Sequence, residues 1–526
     1  MFKKHIFLTA CFIFFASSFA FAQSNNRDLY IVNADSLTVT QRSFLVPAGA
    51  YNIDESLGVT GAGDFVVSGA AAGAQNNILS GVLISANGAV LGTQGSFFKI
   101  RANTIFNLFN VTVSSAYASG DGSVINANNA SSGISVSSAI FDDNRALRYG
   151  GAVYSYGTSK IFLNGGIIFA NNKANYGGAI FNQGARIENS GSVFFSSNTA
   201  SYGGGAVHNY QGGVFISTQN SSFLSFAGNA ALQNGGAFFN EGSVVLISSA
   251  QFVQNQAASG GAVFNTGTAD FSSVYFSSNA AQNGGALYNS GVISVSSGVF
   301  NANTAGSYGG ALFNAVGATA NLGDSDIVLN AAVSGGGVYV SSASTLNLNG
   351  DNISLSYNTA LSSGGALYVE KFGRVNFNAA DTGAFGNTAV SGGGFLYLAG
   401  SGADIDLDKI HIASNSARQG GSIYADAGSK LNFSGNGSIN FSSASDNGGA
   451  IYLGAEAVAD FSSATFSAEG NYAQKDGGFL YLDGGCAYFK DVELKNNAAG
   501  GKGGAIYAVN SRPFGFSAGT SHYLIL

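Results

Sequence analysis

Residues 276–289 read FSSNAAQNGGALYN. Residues 252–265 read FVQNQAASGGAVFN, and residues 300–314 read FNANTAGSYGGALFN. Recurrence of one phrase at a fixed interval marks a repeat architecture, and it decides the fold before any single residue does. The first marker in the phrase is the glycine pair. It opens at Gly150 with Gly151, Gly177 with Gly178, Gly204, Gly235 with Gly236, Gly260 with Gly261, Gly284 with Gly285 and Gly309 with Gly310. It continues at Gly336, Gly364, Gly393, Gly420, Gly448, Gly477 and Gly503. From Gly150 to Gly503 the mean interval is about 27 residues, within the range of solenoid repeats. A weaker copy, Gly120-Asp121-Gly122-Ser123, opens the series.

The second marker is Phe, two residues, then Asn. It occurs at Phe141–Asn144, Phe169–Asn172, Phe195–Asn198, Phe226–Asn229, Phe252–Asn255, Phe276–Asn279 and Phe300–Asn303. Softer copies stand at Leu355–Asn358, Ile412–Asn415 and Leu494–Asn497. In each copy the apolar residue lies 8 or 9 positions before the next glycine pair. Returning from a glycine pair to the next Phe takes a more variable path, so one arc of the repeat is fixed and the other tolerates insertion at the surface.

Short apolar runs such as Ala286-Leu287-Tyr288, bounded by Gly and Asn, read as strands. Nothing in the repeat is a helix-length amphipathic segment. The expected fold is all-β: a right-handed parallel β-helix, or β-solenoid, with coils of about 27 residues. At about 4.8 Å of advance per coil, fourteen to eighteen coils give a rod roughly 65–85 Å long. The Phe residues would then stack in file inside the rod. The Asn residues would sit at a turn and bond along the stack. The glycine pairs would supply positive φ or close backbone approach at another turn. The phrase recurs because a single coil can bury its apolar face only against another coil.

Composition agrees. The 526-residue chain is 46% hydrophobic and only 9% charged, with 42 Phe, 23 Tyr, 76 Gly and 2 Pro. Those aromatics exclude a disordered chain, which lacks apolar surface to bury. Residues 1–22 differ from the rest. Lys3 and Lys4, an apolar run from Ile6 to about Phe15, and Ala20-Phe21-Ala22 before Gln23 predict a secretory signal peptide. Leu8-Thr9-Ala10-Cys11 offers a rival lipoprotein signal, but too few apolar residues precede Cys11. Without Lys3 and Lys4 the chain keeps 19 basic against 28 acidic residues. This acidic balance excludes the basic footprint of a nucleic-acid binder. One cysteine, Cys486, remains, so no internal disulfide is possible. Residues 23–50 are expected to form an N-terminal cap and first coil, 51–510 the β-helix, and 511–526 a short tail.

The pairing of GGA[ILV] with FxxN resembles the passenger repeats of the chlamydial polymorphic outer membrane proteins, over roughly residues 120–510. A lone GGA or FxxN carries no signal; a dozen ordered copies do. The resemblance implies a right-handed β-helix displayed at the outer-membrane surface and acting in adhesion to host cells. It also makes the Phe, Asn and Gly residues named above the carried-over candidates for the adhesive motif. The implied partner is a host or environmental surface protein or glycan. That family ends in a translocator barrel, whereas 22 residues follow Gly504, too few for three membrane strands. A passenger-only protein, a truncated structural passenger, or a separate outer-membrane anchor are the corresponding expectations.

The rival class is a polysaccharide lyase or hydrolase, since such enzymes also use β-helices and need clustered carboxylates. Asp404, Asp406 and Asp408 alternate in DIDLDKIH, and a continuous strand would place them on one outward face. A solvated surface with Ile405 and Leu407 inward is the simpler expectation. Asp324, Asp326 and Asp351 form a sparser acidic set. His208 replaces an aromatic residue in its repeat, His411 is expected to face outward, and His522 lies in the tail. None has metal-ligand spacing, so no metal, cofactor or catalytic residue is expected. Cys486 is expected to be a small buried residue.

Overall fold

The computed structural model describes residues 105–128, 133–217 and 223–510. It also describes the backbone of short strands at 49–52, 65–67, 76–80, 82–85, 98–100 and 523–525. The expected signal peptide, most of the expected cap and the tail at 511–522 lie outside the described residues. The described chain is all-β and winds into a parallel β-solenoid with coils about 27 residues apart. One coil holds four short strands, as in Leu287–Asn289, Val292–Ser296, Val299–Asn301 and Thr304–Tyr308. Every strand pairs in parallel with its counterpart one coil on, for example Leu287 with Leu312, Tyr288 with Phe313 and Asn289 with Asn314. Two of the four strand columns merge into a 30-stranded sheet, and the glycine-pair column and the column after the ladder Asn form the other faces. The short strands at 65–67 and 98–100 join the same stack: Phe65 pairs with Phe98 and Phe98 with Ile125.

Glycine pairs do both jobs expected of them, one per residue. Gly260 has φ +63, a conformation that costs an L side chain but not glycine. A Cβ on Gly261 would collide with the carbonyl oxygen of Gly285 in the next coil. The first glycine therefore turns the chain and the second lets two coils approach. This geometry corrects the register at one pair. In Gly335-Gly336-Gly337 the positive φ belongs to Gly335, and Val338 pairs with Leu312, so the marker opens at Gly335 rather than Gly336. Two tied glycines and a third small residue look alike in sequence, and only the pairing tells them apart. At the start of the series Gly122 takes the same role with φ +56, and Ser123 stands in for the second glycine.

The interior follows the repeat. Phe141, Phe169, Phe195, Phe226, Phe252, Phe276 and Phe300 are fully buried and stack in one file, with ring centroids 4.7–5.0 Å apart and planes within 16°. Offset-stacked rings at this separation add attraction beyond their burial. Ile327, Leu355 and Ile412 continue the file once the aromatic residues end.

The Asn three residues on forms a buried ladder. Asn279 donates from Nδ2 to Asn303 Oδ1 at 3.0 Å and to the Phe252 carbonyl at 2.8 Å. Its backbone N–H also donates to Asn303 Oδ1, at 3.0 Å. Its own Oδ1 accepts from the N–H and the Nδ2 of Asn255, at 2.9 and 3.0 Å. Both amide hydrogens and both oxygen lone pairs are thus used, which is what a fully buried amide requires. The pattern runs unbroken from Asn144 to Asn415, through Asn330 and Asn387, where the residues three before are Ile327 and Ala384 rather than Phe. It breaks at Ser442. There the usual GGA becomes Gly420-Gly421-Ser422, and Ser422 Oγ lies 3.4 Å from Asn415 Nδ2 and 2.6 Å from Ser442 Oγ. The added hydroxyl occupies the gap left by the missing amide. Beyond it the ladder resumes at Asn471 and Asn497.

Replacing Asn279 by Ala leaves the Asn255 N–H without its acceptor, takes from the Asn255 amide one of its two acceptors, and removes the side-chain donor to the Phe252 carbonyl. At about 1–3 kcal/mol per orphaned group the loss is about 3 kcal/mol or more, read from the denaturation midpoint. Because a solenoid is held by nearest-neighbour contacts, hydrogen exchange should accelerate in the adjoining coils and not at the far end of the rod. The double change Ser422→Ala with Ser442→Asn should restore the ladder and stabilise the chain by about 1 kcal/mol, whereas Ser422→Ala alone should destabilise it.

Candidate functional site

In the carried-over motif residues, the side chains point inward. The seven Phe and seven Asn of the FxxN copies are fully buried, and the glycine pairs are occupied in turning the chain. A partner meeting the folded rod touches only the two middle residues of each tetrapeptide. The motif is therefore the scaffold of any binding surface rather than the surface itself.

The outward residues are aligned by the same register. On the glycine-pair strand, the residue after the inward aliphatic points out, and these residues form a second aromatic file. It runs Phe264, Tyr288, Phe313, Tyr339, Tyr368, Tyr397, Tyr424 and Tyr452, with centroids 4.5–5.4 Å apart, and on to Tyr481 and Tyr507. Burial between neighbouring rings, then nearby carboxylates, pushes the phenols of Tyr339, Tyr397 and Tyr452 upward. Tyr339 donates its hydroxyl to Glu370 Oε1 at 2.6 Å, and Tyr452 donates to Asp483 Oδ2 at 3.0 Å. The signal was present in the opening phrase, as the Tyr of GGALYN, but attention to FxxN alone passes over it. The final Asn of that phrase was passed over too. Asn182, Asn209, Asn240, Asn265, Asn289 and Asn314 make a second buried ladder, each Nδ2 2.8–3.0 Å from the next Oδ1. Val340, Val369 and Leu398 continue its column in the C-terminal half.

The acidic candidates are placed as the alternation requires. Asp404 and Asp406 face out, Asp408 is half-buried, and Ile405 and Leu407 are in the core. Two of the three are hydrogen-bonded by side chains of the following coil. Asp404 lies between Arg374 and Lys430 in register, Asp406 accepts from Asn432 Nδ2 at 2.7 Å, and Asp408 accepts from Ser434 Oγ at 3.0 Å. Asp324 caps the following coil, its Oδ1 accepting the N–H groups of Asp351 and Asn352 at 2.6 and 3.1 Å. Among the described residues no three His, Cys, Asp or Glu side chains converge as metal ligands.

His411 faces solvent and contacts Ser438 Oγ at 3.1 Å. Cys486 differs from expectation: it is half-buried, and Ala487 is the residue that points inward. A one-residue shift in strand phase exchanges the two faces. His208 is buried within the outer aromatic file, stacked on Phe239 at 4.4 Å, with Nε2 3.0 Å from Glu241 Oε2. Its Nδ1 has no partner. Burial lowers its pKa, so the ring is neutral and donates from Nε2 to the carboxylate.

Five segments of the chain, 166–183, 192–210, 273–290, 352–370 and 491–509, match the Chlamydia polymorphic membrane protein repeat. Each runs from just before the inward apolar residue, through the ladder Asn and the glycine pair, to the end of the outer aromatic strand. The chain carries Chlamydia polymorphic membrane protein repeats. These repeats coincide with the fixed arc of each coil, where the Phe file, the Asn ladder and the glycine turn are all set. The repeat matches and the β-solenoid together resemble an exported, autotransporter-like passenger. No curated protein and no solved structure matches the chain.

A buried neutral His binds fewer protons than the unfolded one, so its contribution to stability is present above about pH 6.5 and is lost as pH falls below it. His208→Phe, the residue found one coil either side, should flatten the fall in unfolding midpoint between about pH 6.5 and pH 5.

Proposed function

We propose that this protein is an exported surface rod that acts as an adhesin, binding a protein or glycan on another surface through its long repeated faces. The observation that carries this is the outer aromatic file from Phe264 to Tyr507, one ring per coil in constant register, in which Tyr339 and Tyr452 are buried and the other rings are half-buried between their neighbours. Such a face offers the same weak contact many times at fixed spacing, and a ligand that spans several coils gains avidity without any deep pocket. The low charge of the chain, 9% of residues, leaves apolar and hydrogen-bonding groups as the means of contact. The Asp404–Asp408 strand supports the same view, since two of its three carboxylates, Asp406 and Asp408, are engaged by side chains of the following coil.

The test is retention of the purified chain on cell surfaces and on a panel of polysaccharides, with product release scored in the same wells. Retention without release is expected. Release that disappears in Asp404→Ala or Asp406→Ala would replace this proposal with a carbohydrate-active enzyme.

A further inference from the structure

The outer aromatic file changes composition part-way along the rod. Its first coils mix residue types, with Tyr154, Phe181, His208, Phe239, Phe264, Tyr288 and Phe313 in register. From Tyr339 on, each coil carries tyrosine: Tyr339, Tyr368, Tyr397, Tyr424, Tyr452, Tyr481 and Tyr507. Stacking alone does not call for the hydroxyl. Phe264 and Phe313 fill the same position and are half-buried, as Tyr368, Tyr397 and Tyr424 are. The run of phenols therefore asks for a chemical account that packing does not supply.

The rings are held close enough to react with one another. From Tyr339 to Tyr452 the centroids are 4.7–5.0 Å apart and the planes lie within 9°. Tyr481 and Tyr507 follow at 5.2 and 5.6 Å. The Tyr424 ring rests against bare backbone, since a Cβ on Gly392 would stand 3.0 Å from Tyr424 Cγ.

Carboxylates accompany alternate rings. Glu370, Asp426 and Asp483 stand two residues after Tyr368, Tyr424 and Tyr481. Glu370 accepts from the Tyr339 hydroxyl at 2.6 Å and Asp483 from the Tyr452 hydroxyl at 3.0 Å, each from the coil before. Among charged groups Asp426 acts most strongly on the Tyr397 phenol, again one coil before. A phenol gives up an electron more readily when a base takes its proton in the same step, and a hydrogen-bonded carboxylate is such a base.

We infer that the file from Tyr339 to Tyr507 is an oxidative modification site, at which neighbouring tyrosines join as dityrosine and staple one coil to the next. The co-reactant is hydrogen peroxide acting through a haem peroxidase. Each of two adjacent phenols loses one electron and its hydroxyl proton. The two phenoxyl radicals then form a carbon–carbon bond between ring carbons ortho to the oxygens. The hydrogen on each of those carbons moves to oxygen and restores the hydroxyls. Two electrons and two protons have left the pair, and they reduce one peroxide to two waters. The half-buried rings keep an outer edge in solvent, from which the electron can leave. A bond between coils closes a loop in the unfolded chain and favours the folded rod as a disulfide does. Among the described residues the one cysteine is Cys486, so no disulfide serves there. This reading concerns the same file as the binding role above but does not depend on it.

The test treats the full purified chain with a haem peroxidase and hydrogen peroxide, dilute enough to disfavour contact between chains. Dityrosine is read by its fluorescence and located by mass spectrometry of digested peptides, each linked pair being lighter by two hydrogens. Links between consecutive members of the file are expected, in a chain that still migrates as a monomer and melts several degrees above the untreated one. The triple variant Tyr368→Phe, Tyr424→Phe and Tyr481→Phe removes each adjacent pair within the file. It installs the residue that the chain itself uses at Phe264 and Phe313, so it should fold, and its dityrosine should fall several-fold. An unchanged yield in the folded triple variant overturns the site. So does dityrosine confined to the exposed Tyr275, Tyr357 and Tyr472, which lie outside the file, or none at all in the wild-type chain.

Discussion

The asparagine ladder is the constraint on which the rest of the rod depends. A coil of a solenoid must turn corners, and each corner breaks the strand ladder and leaves backbone groups in the interior. One Asn per coil repairs this, because its amide bonds the carbonyl of the preceding coil and the Oδ1 of the following one. A side chain that is both donor and acceptor, repeated at one register, has no unsatisfied end except at the ends of the stack. That makes sliding one coil against its neighbour costly, since a slip of one residue would orphan a buried amide at every level. The break at Ser442 supports this view: where the Asn is absent, a second hydroxyl appears at Ser422, 2.6 Å from Ser442 Oγ.

Locking the register has consequences on both surfaces. Inside, it brings like residues together, so Phe stacks on Phe with nearly parallel planes. Outside, it does the same to whatever the outward positions carry, whether tyrosines on the glycine-pair strand or hydroxyls beside the ladder. A surface built this way is a lattice of identical contacts at a constant step, and its chemistry changes only where single coils depart from the consensus. His208 is one such departure, with Glu241 beside it in the next coil. Tyr357 and Phe441 are others, and each is accompanied by a glycine one coil on that makes room for it.

Much of this was legible in the linear sequence because the period is short and the motif residues have few alternatives. An Asn three residues after an apolar residue, repeated with a glycine pair at fixed distance, specifies a coil, its inward Phe and its two turns. The alternation at 404–408 likewise told which side chains face out. The second Asn ladder and the outer aromatic file were equally regular but were masked by the stronger motif beside them. The register at Gly335-Gly336-Gly337 and the face taken by Cys486 were less accessible, because three glycines or a CAYF run allow two phases that differ by one residue.

What the sequence by itself determined is the solenoid, since period, apolar spacing and turn residues all act within one coil and agree with one another. What only the tertiary structure decided is which repeated residues are available to a ligand. The repeat-motif residues prove to be buried, and Asp406 and Asp408 prove to be hydrogen-bonded to side chains one coil on. Those outcomes depend on stacking one coil on the next. Neighbours a coil away lie about 27 residues apart in sequence but only about 4.8 Å apart in space.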